Sequence, residues 1–113
     1  MAVIKSHTDI EQSRKLAEIL PLKSADMYWW STSLRYYIEA MDDGDFNEEE
    51  GHVRAWSLAA LLGVLPDYTL QTNTDGTVFV VCESKKPMIS DAYDNPVDAC
   101  VAMIEKLHEL NLL

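Results

Sequence analysis

The fold follows most directly from one stretch of the sequence, Tyr68-Thr69-Leu70-Gln71-Thr72-Asn73-Thr74-Asp75-Gly76-Thr77-Val78-Phe79-Val80-Val81-Cys82-Glu83. An Asp-Gly pair between runs of β-branched and aromatic residues is a strong signal for a β-hairpin. It predicts strands over Tyr68–Thr72 and Thr77–Glu83. The second of these is apolar on both faces for much of its length, so we expect it in the interior of a sheet.

Another hairpin is predicted nearer the N-terminus, with strands over Asp26–Trp30 and Leu34–Met41 around the turn Ser31-Thr32-Ser33. Successive residues of a strand point to opposite faces. The more apolar face of the second strand is the one that carries Tyr36, and we expect it to point inward. Its residues are Leu34, Tyr36, Ile38 and Ala40.

A first helix is predicted over about residues 9 to 20. Thr8 and Glu11 have the spacing of a capping box, in which each side chain binds a free backbone N–H of the first turn. Pro21 ends the helix because a proline disfavours helical geometry in the residue before it.

Two further helices are predicted downstream. The apolar run Ala55–Leu65 indicates a buried helix that ends at Pro66. Asn95-Pro96 combines a preferred cap with a proline at the first helical position, and apolar residues then recur at helical spacing to about Asn111.

The order α-ββ-α-ββ-α predicts an α+β fold, with a four-stranded, mainly antiparallel sheet and helices packed largely on one face. A chain of 113 residues, 48% hydrophobic and 25% charged, matches an ordinary globular domain. We therefore expect a single domain over residues 1–113.

Charge restricts the partners. A net charge of −10 opposes direct binding of nucleic acid and of anionic membrane surfaces, whereas a basic protein surface suits it. No apolar run approaches the roughly 20 residues that span a bilayer. The N-terminal residues lack the pattern of a secretory signal, so we expect a cytoplasmic protein.

The acidic loop between the first hairpin and the second helix is the sharpest local feature. From Glu39 to Gly51 the chain has seven carboxylates and no Lys or Arg. The candidate interaction residues in it are Asp42, Asp43, Asp45, Glu48, Glu49 and Glu50.

This loop has three interpretations. Asp43, Asp45 and Asn47 match the first, third and fifth positions of a calcium-binding EF-hand loop. Glu48 then replaces the required glycine and Arg54 the bidentate glutamate, so a solvated charge run is favoured over a weak cation site. A third interpretation is electrostatic mimicry of a nucleic acid, in which the carboxylates occupy a basic cleft.

No motif for a metal, a cofactor or catalysis is evident. The two cysteines, Cys82 and Cys100, lie in apolar patterns typical of buried, reduced thiols. The histidines are His7, His52 and His108, and none has the spacing of a zinc ligand. Ser57 lacks the glycines of a nucleophile elbow, and the four glycines are too scattered for a phosphate loop.

Aromatic residues are the other candidates for an interaction surface. Trp29 and Trp30 are neighbours in a predicted strand, so they cannot both enter one core. We expect one of them at the surface. Beside Tyr37 or Tyr28 it would form a protein-binding hot spot or a dimer seam, unless an outer element covers it.

Four blocks of the chain carry a resemblance. They are Ala25-Asp26-Met27-Tyr28-Trp29, Ala55-Trp56-Ser57-Leu58-Ala59-Ala60-Leu61-Leu62 with Leu65-Pro66, Asn95-Pro96-Val97-Asp98-Ala99-Cys100, and Lys106-Leu107-His108-Glu109-Leu110. In these blocks the chain resembles short uncharacterised proteins of Bacteroides-type gut bacteria and their prophages. That group has no established activity, so the resemblance implies a genomic setting and no catalytic residue.

Two functions are therefore predicted. The favoured one is a non-enzymatic protein-interaction module, accessory to a phage or mobile element, which binds a basic partner or a second copy of itself. The alternative is an enzyme or small-ligand binder whose site is assembled from dispersed residues such as Asp26, His52 and Tyr36.

Overall fold

A computed structural model describes residues 5–41, 46–83 and 87–113. Within these ranges the elements are α1 (Ile10–Ile19), β1 (Met27–Ser31), β2 (Tyr36–Ala40), β3 (Val53–Ala55), α2 (Leu58–Val64), β4 (Tyr68–Thr72), β5 (Val78–Cys82), β6 (Met88–Ile89) and α3 (Pro96–Glu109). The strands form two three-stranded antiparallel sheets, ordered β2-β1-β3 and β4-β5-β6. The predicted α+β class is confirmed, whereas the predicted single four-stranded sheet is not.

The capping box of α1 lies one residue later than predicted, at Asp9 and Gln12. The Asp9 side chain accepts the backbone N–H of Gln12 at 2.8 Å, and the Gln12 side chain accepts the N–H of Asp9 at 3.1 Å. Thr8 is fully buried instead, and its hydroxyl accepts the N–H of Trp56 at 3.1 Å. Thr8 therefore ties the start of α1 to the chain just after β3. The helix ends before Pro21, as predicted.

The first sheet confirms the predicted hairpin and adds a strand. Trp30 of β1 lies opposite Tyr37 of β2, and Trp29 lies opposite Val53 of β3. The prediction that the Tyr36 face points inward is wrong, because Tyr36 is 51% exposed and Leu34 is 91% exposed. Strand β2 is an edge strand, and α1 contacts the sheet at β3, on the opposite edge.

The predicted second helix is shorter than its apolar run. Residues Val53–Ala55 pair with β1, so the helix begins only after Ser57, whose hydroxyl accepts the N–H of Ala60 at 3.2 Å. Trp56 lies between strand and helix with no exposed surface, and its Nε1 donates to Ser24 Oγ at 2.9 Å. The pairing of Val53–Ala55 with β1, which is distant in sequence, therefore outweighs the local helical pattern.

The second sheet contains the hairpin predicted from Asp75-Gly76. Gly76 adopts φ +90°, a left-handed conformation that glycine tolerates without strain. Strand β5 is central, as predicted, and its buried residues are Val78, Val80 and Cys82. Strand β6 supplies the third strand.

Helix α3 packs against β5, α2 and α1. The Asn95 side chain caps it by accepting the N–H of Asp98 at 2.9 Å, and Pro96 is its first residue, as predicted. The helix contributes much of the main core, including Val97, Ile104 and Leu107. At 14 residues it is the longest described helix. None of the helices in the described ranges is long and apolar enough to cross a membrane.

Candidate functional site

The adjacent residues Trp29 and Trp30 point to opposite faces of β1. The Nε1 of Trp29 donates to the backbone oxygen of Thr8 at 3.0 Å, and its ring meets the edge of His7 at 5.4 Å. Burial lowers the pKa of His7 below its usual 6.5. Trp30 stacks on Tyr37 of β2, with ring centroids 4.4 Å apart. Trp29 thus faces the segment that leads into α1, and Trp30 faces away from it.

The face that carries Trp30 is lined with rings. Tyr28 shares it by strand alternation, and His52 stacks on Tyr28 at 5.2 Å between ring centroids. Phe46 meets the edge of Tyr28 at 5.7 Å. We refer to these residues together as the aromatic face: Tyr28, Trp30, Tyr37, Phe46 and His52. None of them belongs to the main core around α3.

Two arginines cover parts of the aromatic face. The Arg35 guanidinium lies 4.9 Å from the centre of the Tyr37 ring, and its Nε donates to the Tyr37 hydroxyl at 2.8 Å. Arg54 lies 4.4 Å above Phe46, and its Nε is 3.3 Å from a carboxylate oxygen of Glu48. Cation–π contacts of this kind are stabilising even at exposed sites.

One polar atom of the aromatic face has no acceptor. Among the described residues, the Nε1 of Trp30 is the only buried side-chain nitrogen or oxygen atom without a hydrogen bond. A buried, unsatisfied donor costs free energy, and such groups are rare in native proteins. Within the described ranges, the indole N–H of Trp30 is therefore an unused donor.

The acidic loop is only partly described. Asp42, Asp43 and Asp45 lie outside the described residues. Two of the three residues that match a calcium-binding loop are therefore among those not described. Residues Glu48–Glu50 form an exposed 3₁₀ turn that ends at Gly51, which has φ +86°. This turn joins the aromatic face through Arg54. The described part of the chain contains no group of three or more His, Cys, Asp or Glu side chains that could hold a metal ion.

The three residues of the alternative site lie apart. Asp26 accepts the N–H and the hydroxyl proton of Ser57, and so supports the start of α2. His52 belongs to the aromatic face. Tyr36 lies opposite Ser31, at the far end of the hairpin from Asp26, a separation of about five residues at roughly 3.3 Å each. The structure therefore does not bring together the acid, the base and the tyrosine that this hypothesis requires.

The two thiols are free and buried, as predicted. Burial raises the pKa of Cys100 to about 12, with a smaller contribution from the neighbouring Cys82. Burial also raises the pKa of Cys82, helped by the charge of Asp67. Only a thiolate is a good nucleophile or metal ligand. Both groups therefore act as small core side chains.

A polar cleft of about 380 Å³ is lined by residues of α1 and α3 and by Lys5, Asp9 and Tyr93. Lys5 lies in it, with Nζ 2.8 Å from a carboxylate oxygen of Asp98 and 3.1 Å from one of Asp9. Burial alone would raise the pKa of Asp98, but hydrogen bonds from Lys5, Gln12 and Asn95 outweigh it and lower the pKa below the usual 3.8. Lys5, Asp9 and Asp98 are paired with one another, and these contacts connect the start of α1 to α3.

Sequence reasoning named Trp30, Tyr37 and Tyr28 as parts of a candidate aromatic surface but not Phe46 and His52. His52 was named as part of a dispersed site with Asp26 and Tyr36, whereas its ring is stacked on Tyr28. Strand alternation relates Tyr28 to Trp30 and was available from the sequence. The contacts of Phe46 and His52 depend on how the segment before β3 folds back, for which the sequence carries no local signal.

Comparison with known proteins gives no relationship: the chain matches no family model, no curated protein and no solved structure.

Proposed function

We propose that this chain is a small, non-enzymatic protein-interaction module that binds a positively charged protein through its aromatic face. The observation that carries this proposal is the Arg35–Tyr37–Trp30 stack, which lies outside the main core. Trp, Tyr and Arg are the residue types most enriched among those that dominate binding energy at protein interfaces.

The unused donor of Trp30 supports the same proposal. A partner carbonyl or carboxylate that reaches this N–H removes the cost of a buried, unsatisfied group. The free energy of binding then gains from this hydrogen bond in addition to the surface that Trp30 buries. Tyr37 stacks on Trp30 and is therefore part of the same candidate contact.

Charge defines the partner. The exposed carboxylates of Glu48–Glu50 border the aromatic face, and the whole chain has a net charge of −10. A field of this sign speeds encounters with a basic surface and disfavours acidic ones. The resemblance to prophage proteins adds to the proposal that the partner is a protein of the mobile element or its host.

The test is quantitative affinity capture from cells that encode the protein, followed by measurement of the affinity for the captured protein. Tyr37→Ser removes the centre of the stack. Tyr68→Ser is the matched control, because Tyr68 is a 42% exposed tyrosine on the edge strand of the other sheet. We expect Tyr37→Ser to weaken binding by at least about thirtyfold, as for a hot-spot residue, and Tyr68→Ser to leave it unchanged.

A second arm tests the charge of the partner. Replacing Glu48, Glu49 and Glu50 together by glutamine should weaken binding, and should flatten its dependence on salt because exposed charges are screened. The Tyr37→Ser chain and the triple glutamine variant must first show the thermal stability of the parent chain. Equal binding by the parent and the Tyr37→Ser chain would refute the aromatic face as the binding site, and an acidic captured partner would refute the charge assignment.

A further inference from the structure

We propose that two copies of this chain associate through β2, edge to edge and antiparallel, with Tyr37 of each copy at the two-fold axis. The two first sheets then form one continuous six-stranded sheet. The contact is made by the outer backbone edge of β2, although Tyr37 belongs to the aromatic face and Arg35 covers part of it. Hydrogen exchange of the outward amides of β2 therefore tests this proposal separately from the partner proposed above.

Among the described residues, no strand pairs with the outer side of β2. Strand β2 lies at the edge of the order β2-β1-β3. The N–H of Thr32 donates to the oxygen of Arg35, and the N–H of Met41 donates to that of Asp26, both at 2.9 Å. Bonding residues alternate along an antiparallel strand, so Arg35, Tyr37, Glu39 and Met41 face β1. The N–H and C=O groups of Tyr36, Ile38 and Ala40 therefore point away from the sheet.

Strand β2 has little of the usual protection of an edge strand, since Glu39 is its one charged residue. Natural edge strands are commonly blocked by lysine, proline or a bulge. Strand β2 has the sequence Tyr-Tyr-Ile-Glu-Ala, and its pairing with β1 is regular along all five residues. Tyr36 is half exposed, which is unusual for a large apolar side chain beside a free backbone edge. The edge of β4 differs, since Thr69, Gln71 and Thr72 give it a polar surface.

Charge selects both the partner and the register. When Tyr37 faces Tyr37 across the two-fold axis, Arg35 of each copy lies opposite Glu39 of the other, on the same face of the sheet. These are non-hydrogen-bonded pairs, in which side chains approach most closely. Shifting the register by two residues places Arg35 opposite Tyr37 or Met41 instead. The register with Tyr37 at the two-fold axis therefore forms two ion pairs. The strand whose charges complement those of β2 is β2 of a second copy.

The remaining contacts of this register are apolar. Tyr36 of each copy lies opposite Ile38 of the other, on the face that was predicted to point inward, and the two exchange main-chain hydrogen bonds. An aromatic residue opposite a β-branched one is a favourable cross-strand pair. Both side chains lose exposed surface in the pair.

The net charge of −10 opposes association of two copies. At about 0.15 M salt the screening length is about 8 Å, which confines this repulsion to short range. Dimerisation is therefore expected to strengthen as salt is raised. Binding of a basic partner weakens under the same change, so salt separates the two interactions. A five-residue strand buries less than a standard interface, and we expect a weak dimer.

The test is amide hydrogen exchange by NMR on the unmodified chain, at low and high protein concentration, with sedimentation to measure mass. We expect the amides of Tyr36 and Ile38 to become protected at least about tenfold as the dimer forms, because their N–H groups gain acceptors. The amides of Tyr37 and Glu39 are the internal reference, since they already face β1. A chain that stays monomeric at millimolar concentration overturns the proposal. So does a dimer in which Tyr36 and Ile38 exchange as fast as in the monomer.

Variants test the edge and the register. Ile38→Pro removes an outward N–H and should abolish the dimer, whereas Thr72→Pro is the matched change on the edge of β4 and should preserve it. Arg35→Glu and Glu39→Arg should each weaken self-association roughly tenfold, which is about 1.4 kcal/mol. An equal mixture of these two variants should associate as tightly as the parent chain, since every facing pair is again of opposite charge. Failure of the mixture to associate overturns the register.

Discussion

The two three-stranded sheets have different relationships to the core. In the second sheet the central strand β5 lies against α3, and three of its residues are buried. In the first sheet the central strand β1 has one buried residue, Tyr28. Tyr28 belongs to the aromatic face and not to the main core. The second sheet is thus stabilised chiefly by apolar packing, and the first by stacked rings, arginines and hydrogen bonds.

This difference gives the two sheets different roles in the function proposed above. Buried alternation along β5 is what a sheet needs in order to hold a helix. Stacked aromatic residues with arginine above them, on a sheet with an unprotected edge, are what a binding surface needs. The first sheet therefore carries both interactions proposed above.

The largest expected effect concerns the thiols of the second sheet and α3. Because the pKa of Cys100 is raised from 9.0 to about 12, its thiolate fraction near neutral pH falls by about a thousandfold. We expect Ellman's reagent at about pH 8 to label native Cys100 at least that much more slowly than the same residue in urea. The time course of absorbance measures it.

A cysteine in the first sheet supplies the comparison. Ser31→Cys places a thiol at an exposed position of β1, and it should label at nearly the rate of a free thiol. Rapid labelling of native Cys100 would mean that the packing of α3 on β5 opens readily, and the contrast between the sheets would be lost.

The next effect is on stability and uses the same substitution in both sheets. Val80 of β5 has no exposed surface, and Val80→Ala should lower the free energy of unfolding by about 2 kcal/mol. Val53 of β3 is only partly buried, and Val53→Ala should cost less than about 1 kcal/mol. Urea titrations followed by circular dichroism give both values. Equal losses would show that the first sheet is packed as tightly as the second.

The same contrast explains which parts of the fold the sequence predicts. The hairpin at Asp75-Gly76 and the start of α3 at Asn95-Pro96 are set by local turn and cap chemistry, and both are confirmed. Strand β3 has three residues, and it forms because it pairs with β1, far away in sequence. Strand β6 has only two residues. Without these strands the predicted hairpins were merged into one sheet.

The error at Tyr36 has a related cause. Alternation shows that one face of β2 is more apolar, and the usual inference is that an apolar face is buried. Whether a helix covers that face depends on tertiary packing, and α1 contacts β3 instead. The candidate surface was thus partly predictable: Trp30 and Tyr37 follow from strand alternation, whereas the contacts of Phe46 and His52 do not.

The smallest effect separates the two faces of β1 itself. Trp29→Phe and Trp30→Phe remove the same volume and the same donor. Among the residues that the structure describes, the indole N–H of Trp29 has an acceptor and that of Trp30 has none. Losing that hydrogen bond leaves the backbone oxygen of Thr8 unpaired, so Trp29→Phe should cost about 1 kcal/mol more than Trp30→Phe in urea unfolding. Equal costs would show that the N–H of Trp30 is hydrogen-bonded in solution. If the difference is found, the indole N–H of Trp30 is a donor that folding leaves unused, as the proposed contact with a partner requires.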